Sequence, residues 1–273
     1  MKFGSKEIDL SFPHVMGVLN VTPDSFSDGG KYSANIDAAL RCVDGMVRQG
    51  AAFIDVGGES TRPGADRVDE AEELGRVLPV IEKIIERFDV IVSVDTSKPL
   101  VMLEAVKVGA GLINDVCALR EPGAVEVAAS VNVPVCLMHM SGSPRNMQCA
   151  PAYDDVVAEV RAFLLQRKEV CVAAGVYAGG IIFDPGFGFG KTLEHNVALM
   201  RQLPELCELG SPVLVGVSRK SMLGTITGKP VADRLAVGTA AATYAAMSGA
   251  AIVRTHDVDA TVDAMKFVRA LRG

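Results

Sequence analysis

Length, composition and charge already exclude several classes of protein. The chain has 273 residues, of which 49% are hydrophobic and only 5% aromatic, with no tryptophan. This length suits one α/β domain, and a core of Val, Ile, Leu, Ala and Met is typical of a parallel sheet covered by helices. The net charge of −6 argues against a nucleic-acid partner, which would require a basic face.

The six cysteines lie far apart and include no C-x-x-C pair. Their spacing favours free thiols in a reducing cytoplasm over a disulfide framework or a metal cluster. The N-terminal sequence MKFGSKEIDL has no long apolar core of the kind found in signal peptides. The uncharged run 235–253 is rich in Ala, Gly and Thr, so we interpret it as a packed helix followed by a strand, not as a membrane span. We therefore expect a cytoplasmic protein without a membrane partner.

Short apolar runs alternate with segments of helical periodicity along the whole chain. The apolar runs predict strands at 15–19, 53–56, 90–94, 112–113, 133–138, 181–183, 213–217 and 251–253. The periodic segments predict helices at 36–49, 69–87, 100–108, 124–130, 154–174, 193–203, 232–247 and 259–271. Eight alternations predict an α/β fold, a (β/α)8 TIM barrel spanning residues 1–273 as a single domain. A doubly wound open sheet is the alternative, but NVTPDSFSDGG after the first strand is not a dinucleotide fingerprint.

The stretch IIFDPGFGFGKT, residues 181–192, resembles two phosphate-binding motifs without matching either. A Walker A loop requires glycine where Pro185 stands, and a dinucleotide fingerprint starting at Gly186 requires its third glycine where Lys191 stands. What remains is a buried strand that ends at Asp184 and opens into a loop.

Polar residues follow the other predicted strands as well. In a (β/α)8 barrel these positions share one mouth, because all the strands end on the same face. A single Asn or Asp there is often only a turn former, but turn chemistry alone does not select Arg, Lys and His. The predicted mouth residues are Asn20, Thr61, Asp95, Asn114, His139, Asp184, Lys220, Arg254 and His256.

The mouth residues divide by charge into two groups. Asp95, Asn114 and Asp184 suit a planar heterocycle with adjacent N–H donors, although a structural hydrogen-bond network would use the same residue types. A cationic group suits a phosphate or carboxylate, and Ser221 falls at a predicted helix start that favours an anion. The members of this cationic group are Arg62, Arg219, Lys220, Arg254 and His256.

Two further features belong to the predicted mouth. Asn20 and Asp95 could lie near a hydrated Mg²⁺, which keeps few protein ligands. The Gly- and Pro-containing loops 21–32 and 57–68 are predicted to close over the site.

Eight motifs along the chain resemble the dihydropteroate synthase family, folate-pathway enzymes of bacteria that are targets of sulfonamides. They are LNVTPDSFSDGG, DVGGESTRPGA, SVDTSKP, INDV, LMHMSGSPRNMQ, DPGFGFGKT, GVSRKSMLG and RTHDV, in the order of the family. The resemblance implies a homodimeric (β/α)8 barrel. It also implies a reaction that joins 7,8-dihydropterin-6-ylmethyl diphosphate to p-aminobenzoate and releases pyrophosphate with the help of Mg²⁺.

The resemblance also implies roles for individual residues. The pterin would be held by Asp95, Asn114, Met138, Asp184, Gly216, Lys220 and Arg254. The diphosphate would meet Asn20, Arg254 and His256, with Asn20 as the metal ligand. The p-aminobenzoate would meet Phe26, Asp28, Thr61, Arg62, Pro63, Phe189, Lys220 and Ser221. The chemistry would be carried by Asp95, Asp184, Lys220, Arg254 and His256.

Two alternative functions stay open at this point. A pterin-binding methyltransferase acting on methyltetrahydrofolate and a corrinoid protein would share the pterin pocket, but the STRPG and SRKS motifs argue against it. A non-catalytic paralogue is the other alternative, and the presence of Lys220, Arg254 and the first loop argues against that one. Lys191 receives no role.

Overall fold

The computed structural model describes residues 1–22, 32–60, 64–65, 67–142, 147–148 and 151–272, with side chains of the first helix described from residue 36. Its strands are β1 (Lys2–Phe3), β2 (Lys6–Glu7), β3 (His14–Asn20), β4 (Phe53–Gly57), β5 (Ile91–Asp95), β6 (Leu112–Asp115), β7 (Val135–Met138), β8 (Ile181–Asp184), β9 (Leu214–Gly216) and β10 (Ile252–Thr255). Its helices are α1 (Tyr32–Gln49), α2 (Glu70–Arg87), α3 (Pro99–Lys107), α4 (Ala124–Val131), α5 (Val156–Ala173), α6 (Leu193–Arg201), α7 (Leu203–Cys207), α8 (Ser221–Thr227), α9 (Leu235–Met247) and α10 (Val258–Arg272).

Strands β3 to β10 form a parallel barrel. Their order in the sheet is β8-β7-β6-β5-β4-β3-β10-β9. A parallel bridge between Phe183 and Val213 joins β8 to the residue that precedes β9, and this bridge brings the two edges together. The predicted (β/α)8 barrel is therefore confirmed, and the open doubly wound sheet is wrong.

Most predicted elements agree with the structure to within a few residues. Asp69, the predicted start of the second helix, is the N-cap of α2 and accepts a hydrogen bond from the Glu72 backbone N–H at 2.7 Å. The run 235–253 forms α9 and β10, as expected. Among the described helices, none combines the length and the apolar character that crossing a membrane requires. The short helix α7 and the hairpin of β1 and β2 were not predicted, and of α8 only the start at Ser221 was predicted.

The N-terminal hairpin closes one end of the barrel. The Phe3 ring is 2% exposed and meets the Phe53 ring edge-on, with a centroid distance of 5.0 Å. Each barrel strand contributes one apolar side chain to the cluster around it. These side chains are Met16, Phe53, Ile91, Leu112, Cys136, Ile182, Leu214 and Ile252. The interior at this end is a packed core, so a ligand has to enter from the opposite end, where the strands finish.

The alternation of side chains along each strand determines which residues face the interior at the carboxyl end of the barrel. Side chains two residues apart point to the same face of a strand. The next inward layer is therefore polar on five of the eight strands. It contains Val18, Asp55, Ser93, Asn114, Met138, Asp184, Gly216 and Arg254. Outward-facing residues such as Val92 and Val215 pack instead against the helices in the main core.

Candidate active site

Arg254 organises a buried polar network inside the carboxyl end of the barrel. Its Nε donates to Asp55 Oδ2 at 2.6 Å, and its Nη2 donates to Asp95 Oδ2 at 2.9 Å. Asn114 Nδ2 donates to the same Asp55 oxygen at 3.0 Å. The side chains come from β10, β4, β5 and β6, so the network links four strand ends. Together with Asp184 and Lys220 we call these residues the mouth cluster.

The network keeps unused acceptors. Asp55 Oδ1 and Asp95 Oδ1 are buried and have no hydrogen-bond partner among the described residues. Burial raises the pKa of Asp95 to about 8, with the Asp55 carboxylate acting in the same direction and Arg254 opposing. Although burial lowers the pKa of Arg254, the carboxylates of Asp55 and Asp95 hold it above its ordinary value. Buried acceptors of this kind are costly unless a donor meets them, so the cluster suits a ligand rich in N–H groups.

Asp184 and Lys220 form the second part of the cluster. Asp184 Oδ1 accepts a hydrogen bond from the Gly186 backbone N–H at 2.7 Å, and burial raises its pKa against the opposing charge of Lys220. Lys220 Nζ donates to the Phe187 carbonyl and lies 4.6 Å from the centre of the Phe189 ring. Burial lowers the pKa of Lys220 to about 8, with Asp184 opposing. A cation above an aromatic ring forms one wall of the site.

Asn20 and Asp95 flank Gly57. The ends of β3, β4 and β5 pair Asn20 with Gly57 and Gly57 with Asp95. A Cβ added to Gly57 would lie 3.6 Å from Asp95 Oδ2 and 3.8 Å from Asn20 Oδ1. The described residues contain no group of three or more His, Cys, Asp or Glu that could hold a metal. Asn20 and Asp95 offer oxygen donors, which is the ligand type that Mg²⁺ takes, and Mg²⁺ needs only one or two ligands from a protein.

Ser218 positions His256 at the end of β10. The Ser218 hydroxyl lies 3.1 Å from His256 Nδ1 and 3.2 Å from its backbone nitrogen. Ser221 is the first residue of α8, as predicted for a helix start. Arg219, predicted to belong to the cationic group, instead forms a two-bond ion pair with Asp257, at 2.5 and 3.2 Å. Its guanidinium is therefore committed to Asp257.

His139 does not belong to the mouth, contrary to the prediction. Met138 points inward at the end of β7, so the next residue points to the other side of the strand. His139 is buried against the Phe163 ring, with a centroid distance of 4.9 Å, and its Nδ1 lies 2.9 Å from Lys191 Nζ. Burial and the charge of Lys191 lower its pKa to about 3.

Five predicted site residues, Phe26, Asp28, Thr61, Arg62 and Pro63, lie outside the described residues. The structure brings the remaining ones to the carboxyl end of the barrel. Met138 is buried there, and a Cβ added to Gly216 would lie 3.7 Å from the Arg254 side chain, so Gly216 lies directly beside the arginine.

Two functional features escaped the sequence analysis. Asp55 is fully buried and is the central acceptor of the cluster; its position two residues after the inward Phe53 was the available signal. The second feature is the Lys98 amine, which donates to both Glu59 and Glu73. Glu73 is buried on α2 and Glu59 lies two residues after the end of β4, so this ion cluster fixes the first part of the second loop. No motif marks it.

A barrel with this arrangement of strand ends defines a class of enzyme. The family described as pterin binding enzyme matches residues 16–256, and the chain belongs to that family. Within it, the similar proteins are dihydropteroate synthases. The Escherichia coli (strain K12) dihydropteroate synthase is 54% identical over 263 residues, which cover 96% of this chain and 93% of that protein.

Solved structures agree in fold as well as in sequence. The Yersinia pestis dihydropteroate synthase in complex with a sulfonamide drug has a TM-score of 0.94 at 52% identity, covering 100% of this chain and 99% of that one. The Xanthomonas albilineans dihydropteroate synthase in complex with 7,8-dihydropteroate has a TM-score of 0.88 at 46% identity, covering 97% and 96%.

Proposed function

We propose that the protein is a dihydropteroate synthase, joining 7,8-dihydropterin-6-ylmethyl diphosphate to p-aminobenzoate and releasing pyrophosphate. The observation that carries this proposal is the mouth cluster, in which three buried aspartates, an asparagine, a lysine and an arginine converge. Identity of about half the residues to dihydropteroate synthases over nearly the whole chain supports the same reaction.

The pterin ring would lie in the mouth cluster. Its adjacent N–H groups match the acceptors of Asp95, Asn114 and Asp184, and paired hydrogen bonds to a carboxylate are strong and directional. Arg254 would cover one face of the ring above Gly216, with Met138 on the wall. Lys220 would meet a ring acceptor. Burial of the acceptors supports tight binding, because the ligand would replace missing hydrogen bonds.

Departure of the diphosphate would begin the reaction. Asn20, Arg254 and His256 would meet the diphosphate, and Asn20 would hold the Mg²⁺, whose charge makes diphosphate a better leaving group. Asp55 and Asp95 fix the Arg254 guanidinium in advance, so little reorganisation is needed as charge develops. The bond between the methylene carbon and the diphosphate oxygen breaks, and the electron pair leaves with the oxygen.

The remaining methylene cation would be stabilised by the electron-rich dihydropterin and by the carboxylates of Asp95 and Asp184. The amine of p-aminobenzoate attacks the cation and forms the bond between nitrogen and the methylene carbon. The amine then loses one proton to solvent. Phe189, Lys220 and Ser221 would hold the aromatic acid, with Phe26, Asp28, Thr61, Arg62 and Pro63 from the two loops. Orientation of the amine, and not a strong base, would drive this step.

Pyrophosphate release tests the proposal. The purified protein is given the dihydropterin diphosphate and p-aminobenzoate, with each substrate or Mg²⁺ omitted in turn. Release is expected only with both substrates and the metal. No release in the complete mixture would contradict the proposal, and methyl transfer from methyltetrahydrofolate to a corrinoid protein would favour the related methyltransferase.

We also propose that the protein acts in the cytoplasm as a homodimer. Large apolar side chains are exposed along α8, α9 and α10, which supports an apolar partner surface. Leu235 is 48% exposed, Met247 48% and Phe267 59%. Light scattering is expected to give twice the chain mass of 28.7 kDa, and a mass of a single chain at micromolar concentration would contradict it.

A further inference from the structure

The loop that follows β8, residues 185–191, forms neither helix nor strand, yet it lies directly against the site. We call it the β8 loop. Five successive carbonyls in it accept hydrogen bonds from side chains. Gly188 O accepts from Gln148 at 2.6 Å, Gly190 O accepts from the Tyr153 hydroxyl at 2.8 Å, and Phe187 O accepts from Lys220. The other two carbonyls accept from Lys191.

Lys191 is the buried member of this set of donors. Its side chain belongs to a residue only 4% exposed, and its Nζ lies 2.8 Å from Gly186 O, 3.1 Å from Phe189 O and 2.9 Å from His139 Nδ1. An ammonium has three N–H donors, and four acceptors lie within bonding distance of it, the fourth being the His139 carbonyl oxygen at 3.3 Å. All four acceptors are uncharged, so the amine bonds to backbone carbonyls and a neutral imidazole instead of a carboxylate.

Backbone contact leaves the β8 loop little room to relax. Gly186 and Gly190 have φ of +68° and +63°, and a Cβ on Gly186 would lie 1.9 Å from the His139 carbonyl oxygen. A Cβ on Gly190 would lie 2.7 Å from the Ser141 carbonyl oxygen. The loop therefore packs directly on the chain that follows β7. Lys191 ties these two segments together, because it bonds to His139 on one side and to Gly186 and Phe189 on the other.

Isolated lysine charges are expensive to bury. Desolvation lowers the pKa of Lys191 to about 7, with Asp184 opposing this effect. A methionine would fill the same space without that cost. What the amine supplies instead is a fixed position for the Phe189 carbonyl, and Phe189 lies beneath Lys220.

We infer that Lys191 is a positioning residue, which sets the affinity for the aromatic acid substrate by fixing Phe189 and, through the β8 loop, Lys220. This inference rests on the proposed function, in which Phe189 and Lys220 bind p-aminobenzoate. Lys191 itself touches neither the reacting atoms nor the diphosphate in this arrangement. Its loss is therefore expected to weaken the binding of one substrate more than it slows the chemistry.

Steady-state kinetics of Lys191→Met test the inference. KM for p-aminobenzoate is expected to rise about tenfold, with KM for the pterin substrate and kcat changed by about twofold or less. Lys168→Met is the matched control, since Lys168 Nζ also donates to a carbonyl, Gly210 O, at 2.9 Å, but outside the β8 loop. The control is expected to keep both KM values. Lys191→Arg, which keeps donors, is expected to recover part of the loss.

Three outcomes would overturn the inference. The first is an unchanged KM for p-aminobenzoate in folded Lys191→Met, and the second is an equal change in both KM values and kcat. If Lys191→Met does not fold, Lys191→Gln takes its place, because its uncharged amide has two N–H donors where the ammonium has three. An unchanged KM for p-aminobenzoate in folded Lys191→Gln is the third outcome. The activity of the wild-type protein distinguishes failure of this inference from failure of the proposed function. An inactive wild type would contradict the proposed function, whereas an active wild type with one of the three outcomes above would contradict only the role of Lys191.

Discussion

Replacing Asp55 with asparagine removes one negative charge from the centre of the mouth cluster and preserves the shape of the side chain. Asp55 Oδ2 accepts from Arg254 Nε at 2.6 Å and from Asn114 Nδ2 at 3.0 Å, and the residue is fully buried. The asparagine oxygen is uncharged, so the one bond that it keeps is weaker than the bond to the carboxylate. Arg254 would then be held mainly by Asp95.

The magnitude follows from the bond that is weakened. A hydrogen bond to a charged group contributes about 1.5–3 kcal/mol, which corresponds to about 10- to 150-fold in rate if it is lost only in the transition state. Asp55 also helps to raise the pKa of Asp95 by repulsion. Relief of this repulsion offsets part of the lost stability, so we expect Asp55→Asn to fold and to lose mainly kcat.

Pyrophosphate release at saturating substrates and urea denaturation measure the two effects separately. Ser93→Ala is the matched control, because Ser93 pairs with Asp55 in the sheet and its buried hydroxyl has no partner among the described residues. The control is expected to keep both activity and stability. A fully active Asp55→Asn with the wild-type urea midpoint would refute the view that Asp55 holds Arg254 for catalysis.

Two further predictions concern the packing behind the site. Gly186→Ala is expected to destabilise the protein by more than about 2 kcal/mol, since its Cβ would lie 1.9 Å from the His139 carbonyl oxygen. Gly210→Ala, with φ of +76° but nothing within 4 Å of its Cβ, is expected to cost only about 1–2 kcal/mol, and equal urea midpoints for the two variants would contradict this. The second prediction starts from the pKa of His139, which folding lowers from 6.5 to about 3. The unfolded chain therefore takes up a proton that the folded protein does not, and stability is lost as the pH falls from about 6.5 towards 3, by up to about 1.4 kcal/mol per pH unit. His139→Gln is expected to lose this part of the slope between about pH 7 and pH 5 in urea denaturation, and an identical slope in both proteins would count against it.

Hydrophobic runs and strand-end residues carried most of what the sequence could predict. The eight strands and the inward positions of Asp184 and Arg254 follow from apolar runs of the right length with polar ends. Helix periodicity located α2 almost to the residue, because Asp69 is both a capping residue and the start of the apolar pattern. Apolar runs, strand-end residues and helix periodicity are local signals, and the structure agrees with them.

The unpredicted features depend on contacts between distant segments. Asp55 lies inside its strand, and only the alternation counted from Phe53 would have placed it in the mouth cluster. His139 was assigned to the mouth because it follows a strand, and the same alternation turns it away. Lys191 looked like a remnant of a phosphate loop, and its carbonyl partners become visible only when the β8 loop is folded.

Counting dihydropteroate against pyrophosphate in one reaction tests most directly whether the mouth cluster carries the condensation. Wild-type protein with both substrates and Mg²⁺ is expected to form the two products in equal amounts, as measured by mass spectrometry. Asp184→Asn can still accept the bond from the Gly186 N–H, which is 2.7 Å long in the wild type. It is expected to fold and to lose about 100-fold in kcat/KM for the pterin substrate, because a buried charged acceptor is removed. Wild-type rates in Asp184→Asn, or no dihydropteroate from the wild type, would contradict the proposed site.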